Sequence, residues 1–118
     1  MKRLLLVEDD EKFGSILASI LKKSYHIQMV STIKEAIEKI IFEDIDYICC
    51  DYHLPDGNAL ELLESIRNGK ICIPTVIMSA DLDRSIRRDA KLYGVVDVLE
   101  KSDSEFLSKL KILLMPDA

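Results

Sequence analysis

Five short apolar runs, each followed by an amphipathic segment, restrict the folds open to this 118-residue chain more than any other feature. The runs cover residues 3–7, 27–30, 47–50, 75–78 and 96–99, and the segments cover 10–23, 33–43, 59–67, 84–93 and 104–114. Apolar residues follow one another in the runs without polar alternation, which is how strands covered on both faces of a parallel sheet read. The segments can supply the cover. In the first, Phe13, Ile16, Leu17, Ile20 and Leu21 recur at helical spacing.

Strict alternation of strand and helix with short links requires right-handed crossovers. The expected architecture is therefore α/β, a doubly wound five-stranded parallel sheet with five helices, and its ligand crevice should lie beyond the carboxyl ends of the strands. Helix starts are marked by Ser31 or Thr32, by Asn58 after Gly57, and by Asp103 or Ser104. No internal repeat or linker interrupts the pattern, so residues 1–118 are expected to form one domain with no output domain attached.

Charge narrows the function. A net charge of −5 speaks against direct nucleic acid binding, which needs clustered Lys and Arg in excess of the acids. No apolar run approaches the roughly 20 residues of a membrane span, and the start of the chain does not resemble a signal peptide. The expected location is cytoplasmic, away from membranes. Cys49, Cys50 and Cys72 lack metal or disulfide spacing and are expected to be buried thiols.

The residues that follow the strands are chemically selective. Glu8, Asp9 and Asp10 follow the first, Asp51 the third, Ser79 the fourth and Lys101 the fifth, and the topology gathers them at one crevice. Crowded carboxylates repel one another, and a hard divalent cation with oxygen ligands relieves that repulsion. Mg²⁺ (or Mn²⁺) suits such a set, because it uses one or two carboxylates and leaves room for phosphate oxygens. Lys101 and the Ser79 hydroxyl would meet that group from the other side. Taken singly, Asp10 reads as a helix-start acid, Ser79 as a cap and Lys101 as a solvated charge. Asp51 does not, since it follows the most apolar strand and needs a compensating partner there.

Together these residues resemble the receiver domain of bacterial two-component response regulators, the CheY-like family, over essentially the whole chain. Leu5-Leu6-Val7-Glu8-Asp9 is similar to the family's first strand and acidic pair, and Asp51-Tyr52-His53-Leu54-Pro55-Asp56-Gly57 to its phosphoacceptor loop. Val76-Ile77-Met78-Ser79-Ala80 resembles the fourth strand with its hydroxyl residue, and the stretch from Gly94 to Lys101 resembles the fifth strand with its lysine.

The resemblance implies a flavodoxin-like receiver fold with Asp51 as phosphoacceptor. It implies Mg²⁺ held by Asp9, Asp51 and the His53 backbone carbonyl, with Glu8 acting through water, and Ser79 and Lys101 contacting the phosphoryl group. It implies a sensor histidine kinase as phosphodonor and a downstream protein or output domain as recipient. His53 and Asp81 would tune the lifetime of the phosphoryl group, although Asp81 also reads as a helix cap.

Two positions depart from the family pattern. Val98 stands where an aromatic residue usually couples to the hydroxyl, and Ser102 stands where a proline usually follows the lysine, so a weaker or differently routed switch is expected. Arg84, Arg87, Arg88 and Lys91, with Asp97 nearby, form a charged face that is either solvated or pairs two copies as a homodimer. The competing functions are a degenerate receiver acting as a phosphorylation-independent module and a Mg²⁺-dependent phosphohydrolase. The second is disfavoured because His53 stands where such an enzyme wants its second acid.

Overall fold

The computed structural model describes residues 1–81 and 83–114; Leu82 and the end of the chain with Pro116 lie outside the described residues. In chain order the elements are β1 (Arg3–Val7), α1 (Glu11–Leu21), β2 (His26–Val30), α2 (Ile33–Phe42), β3 (Tyr47–Asp51), β4 (His53–Leu54) and β5 (Gly57–Asn58). Then come α3 (Ala59–Asn68), β6 (Thr75–Ser79), α4 (Arg84–Leu92), β7 (Asp97–Glu100) and α5 (Phe106–Leu113).

Five strands form one parallel sheet in the order β2-β1-β3-β6-β7. The chain leaves β1 outward to β2 and then returns to β3 on the other side of β1. Connections therefore diverge between β1 and β3, and a crevice opens where their carboxyl ends part.

Continuous apolar runs follow from cover on both faces. Leu5, Val7, Ile48, Cys50, Ile77 and Val98 point to the side packed with Ile33, Ala36, Leu62, Ile86 and Ala90 of α2, α3 and α4. Their neighbours Leu4, Leu6, Cys49, Val76, Met78 and Leu99 point the other way, against Leu17 and Leu21 of α1 and Phe106 and Leu110 of α5. Leu6 is fully buried, so Leu6→Ala would cost about 2–5 kcal/mol. No helix among the described residues is long and apolar enough to cross a membrane.

Helix starts are set by side chains. Thr32 accepts from the Glu35 amide, Asn58 from those of Leu60 and Glu61, and Asp10 from that of Phe13. Asp83, not Asp81, caps α4 by accepting from the Ile86 amide. The expected cap of α5 is corrected as well. Asp103 accepts from the Glu105 amide and folds a turn ahead of the helix, which then starts at Phe106 without a side-chain cap.

The cysteines divide: Cys49 and Cys50 are buried, whereas Cys72 is exposed in the irregular link before β6 and departs from the expectation of burial. Burial pushes both buried thiols well above their ordinary pKa, which leaves them protonated and unreactive.

Candidate functional site

Each site residue sits where a strand runs out. Glu8 follows β1, and its amide donates to the Val30 carbonyl at 2.9 Å, which extends the β1–β2 ladder by one residue and turns the side chain into the crevice. Its Oε2 accepts from the Asp10 amide at 3.1 Å. Asp51 closes β3 and Ser79 closes β6, both buried. Lys101 follows β7, and its amide donates to the Ser79 carbonyl at 2.8 Å, so the end of β6 fixes the root of the lysine.

The crevice brings these groups together. Carboxylate oxygens of Glu8, Asp9 and Asp51 all lie within 4.8 Å of one another. Lys101 Nζ lies 2.6 Å from Glu8 Oε1 and 3.2 Å from Asp51 Oδ2. Glu8 Oε1 is buried, and the Lys101 ammonium is the cation it meets. Such an oxygen set suits a hard divalent ion, and Glu8, Asp9 and Asp51 are the residues that fit one.

Burial and neighbouring charges pull in opposite directions at Glu8 and at Lys101. Burial raises the pKa of Glu8, and the nearby Asp51 carboxylate adds to that, while Lys101 and the Asp10 amide oppose it without prevailing. At Lys101 burial works to lower the pKa, but Glu8 and Asp51 outweigh it and the net direction is up. The lysine is thus firmly charged while the acid beside it is reluctant to be.

The other expected residues divide between buried Ser79 and Val98 and exposed His53 and Asp81. The Ser79 hydroxyl donates to the Asp81 backbone carbonyl at 2.8 Å, folding the loop after β6 back on itself instead of bonding Asp51. Asp81 and His53 are exposed, and the His53 ring stands edge-on to Tyr52 with centroids 4.8 Å apart. Val98 is buried in the middle of β7.

Two contributors escaped the sequence reading. The Phe13 ring lies under Lys101, its centroid 4.5 Å from Nζ. Asp56, in the turn between β4 and β5, accepts from the Ile33 and Lys34 amides at 2.9 and 3.1 Å, and so ties the loop after Asp51 to the start of α2. Phe13 carries a faint signal, three residues after a capping Asp. Asp56 carries none, because its partners lie 23 and 22 residues back along the chain.

Set beside known proteins, residues 4–111 match the family model described as the response regulator receiver domain. The chain belongs to the response regulator receiver domain family. Its relatives include the transcriptional regulatory protein MalR of Bacillus subtilis, 29% identical over 86% of this chain and 44% of that protein. The swarming motility regulation protein RssB of Serratia marcescens is 31% identical over 90% of this chain and 45% of that protein.

This receiver thus spans less than half the length of those two relatives. Among solved structures, the non-phosphorylated HemR receiver domain from Leptospira biflexa superposes with a TM-score of 0.88 at 29% identity, covering 100% of this chain and 98% of that one. The doubly wound five-stranded sheet with five helices expected from the sequence is the receiver fold.

Proposed function

We propose that this receiver accepts a phosphoryl group on Asp51 from a phosphohistidine of a sensor kinase and passes the change to a downstream protein or output domain. The observation that carries the reading is Lys101 Nζ 3.2 Å from Asp51 Oδ2, with the Glu8 and Asp9 carboxylates packed beside the same aspartate. A carboxylate oxygen of Asp51 attacks phosphorus, the P–N bond breaks, and the departing imidazole keeps the electron pair and takes up a proton.

Lys101 meets charge on the transferring oxygens and keeps its own charge throughout, as its raised pKa requires. A Mg²⁺ (or Mn²⁺) ion held by Asp9, Asp51 and the His53 carbonyl, with Glu8 through water, would neutralise the remaining charge there. The Ser79 hydroxyl exchanges its bond to the Asp81 carbonyl for one to the phosphoryl group, and releasing that bond reshapes the loop after β6. His53 and Asp81, both exposed at the rim, govern how readily water reaches the acyl phosphate. The reading carries with it a cytoplasmic location and no nucleic acid contact by this domain.

The test is the intact mass after incubation with acetyl phosphate, with and without Mg²⁺, beside Asp51→Asn. A Mg²⁺-dependent gain of one phosphoryl group that the variant lacks is the expected result. No gain in the parent protein would shift the reading to a phosphorylation-independent interaction module, which the burial of Val98 at the usual coupling position favours as the alternative.

A further inference from the structure

Lysine is a compact charge on a flexible four-carbon stem, and holding it in one place requires contacts that outlast changes in the site. Lys101 Nζ has contacts with Glu8 at 2.6 Å, Asp51 at 3.2 Å and the ring of Phe13 at 4.5 Å from its centroid. The first two are oxygens that a divalent ion would also draw on. The third offers such an ion no oxygen, yet its negative face attracts an ammonium group.

The ring is itself held from two sides. The Phe13 amide donates to Asp10 Oδ1 at 3.0 Å, which fixes the first turn of α1. Its ring meets Phe106 at 61°, with centroids 6.0 Å apart, and Phe106 is buried at the start of α5, just beyond the turn that follows Lys101. The platform beneath the ammonium is therefore part of the packing between α1 and α5.

We propose that Phe13 is a positioning residue for Lys101, its ring face holding the ammonium over Asp51 independently of what the carboxylates bind. The inference rests on the phosphoacceptor reading of Asp51 and Lys101. The competing view is that Phe13 only fills space, in which case any apolar side chain of similar bulk serves.

Phosphorylation of Asp51 by acetyl phosphate at saturating Mg²⁺ separates the two. Phe13→Leu keeps apolar bulk and removes the ring face; it should slow phosphorylation by about three- to tenfold, the span of a partly desolvated cation–π contact. Phe13→Tyr restores the face and should recover the parent rate to within about twofold. In a Lys101→Met background the same Phe13→Leu change should have no effect. Parent-like phosphorylation in Phe13→Leu, or an equal slowing in the Lys101→Met background, overturns the proposal.

A second measurement reads the contact without phosphorylation. In the parent protein the ε-methylene protons of Lys101 should be shifted upfield by the ring and should return to ordinary positions in Phe13→Leu, or in Phe13→Met should the leucine variant not fold. Absence of that shift overturns the positioning itself. If the parent protein takes up no phosphoryl group, the phosphoacceptor reading fails, and these proton shifts still decide whether Phe13 positions Lys101.

Discussion

Lys101 Nζ lies 2.6 Å from Glu8 Oε1, yet the Glu8 carboxyl titrates above its ordinary value of 4.5 because burial outweighs the neighbouring cation. A raised carboxyl pKa means that the folded state holds the proton more tightly than the unfolded one. Stability associated with Glu8 therefore falls as pH rises from 4.5 through the folded pKa. The raised pKa of Lys101 acts elsewhere, giving stability below 10.5 that is lost as pH climbs through its folded value.

Glu8→Gln removes the acid's titration. In EDTA, the melting temperature of the variant minus that of the parent should increase by a few degrees between pH 4.5 and about pH 7, and a difference that is flat or falls with pH contradicts this account. Adding Mg²⁺ at about pH 7 should raise the melting temperature of the parent more than that of Glu8→Gln, because a bound cation favours the charged carboxylate.

Gly14 lets α1 approach the acid cluster. A Cβ at this position would lie 2.7 Å from Met29 Sδ and 3.3 Å from Glu8 Cγ. Met29 is partly exposed and can swing aside, whereas buried Glu8 has to give by a few tenths of an ångström. Replacing a helical glycine by alanine gains roughly 0.5–1 kcal/mol, which offsets the crowding. Gly14→Ala should therefore change stability by less than about 1 kcal/mol while weakening Mg²⁺ binding several-fold. Calorimetric titration with Mg²⁺ checks it, and parent-like affinity would show that Glu8 tolerates the push.

Asp56 joins the loop after Asp51 to α2, and its bonds to the Ile33 and Lys34 amides hold its pKa below the ordinary 3.8, the Ile33 bond most of all. A depressed pKa contributes stability above 3.8 that is lost as pH falls through the folded value. Asp56→Ala should lower the melting temperature by a few degrees at neutral pH and by progressively less in acid. Amide exchange at Ile33 and Lys34 reports the same event locally. Unchanged protection of those two amides in the variant would show that Thr32 alone caps α2.

The sheet was legible because its central strands β1, β3 and β6 are buried on both faces and read as apolar runs, while Gln28 and Asp97 interrupt the edge strands β2 and β7, and because β–α alternation allows few topologies. Edges were less so. The first helical pattern suggested residues 10–23, whereas α1 runs Glu11–Leu21, since Asp10 stands outside as cap and Lys22 and Lys23 have nothing to bury. The two-residue ladder of β4 and β5 carries no periodicity at all; it depends on the turn at Gly57, whose φ of +149° suits glycine.

At the site, the order of chemical groups along the chain was readable because each one ends a strand. Side-chain direction was not, which is why the Ser79 bond to the Asp81 carbonyl and the Phe13 platform emerged only in three dimensions.

Val98 is the residue through which coupling between site and surface can be tested. It is 1% exposed, and its one rotatable side-chain bond is stiffened by β-branching. Arg87 donates to its carbonyl at 3.1 Å and pairs with Asp97 at 2.9 Å, while the Val98 amide donates to Asp97 Oδ1 at 2.7 Å. Strand β7 is thereby pinned to α4 at the point where a swinging side chain would have to move. Tyr93, at the end of α4, is held separately, its hydroxyl donating to Glu64 Oε2 at 3.3 Å. A change at Asp51 should then travel through the loop after Ser79 and stop short of β7. Spectra of the free and beryllofluoride-bound protein should show large amide shifts from Ser79 to Asp81 and small ones at Val98 and Tyr93. Wide shifts at those two residues would mean that β7 and α4 move together despite the Arg87 link, and Arg87→Ala would then be expected to enlarge the shifts further.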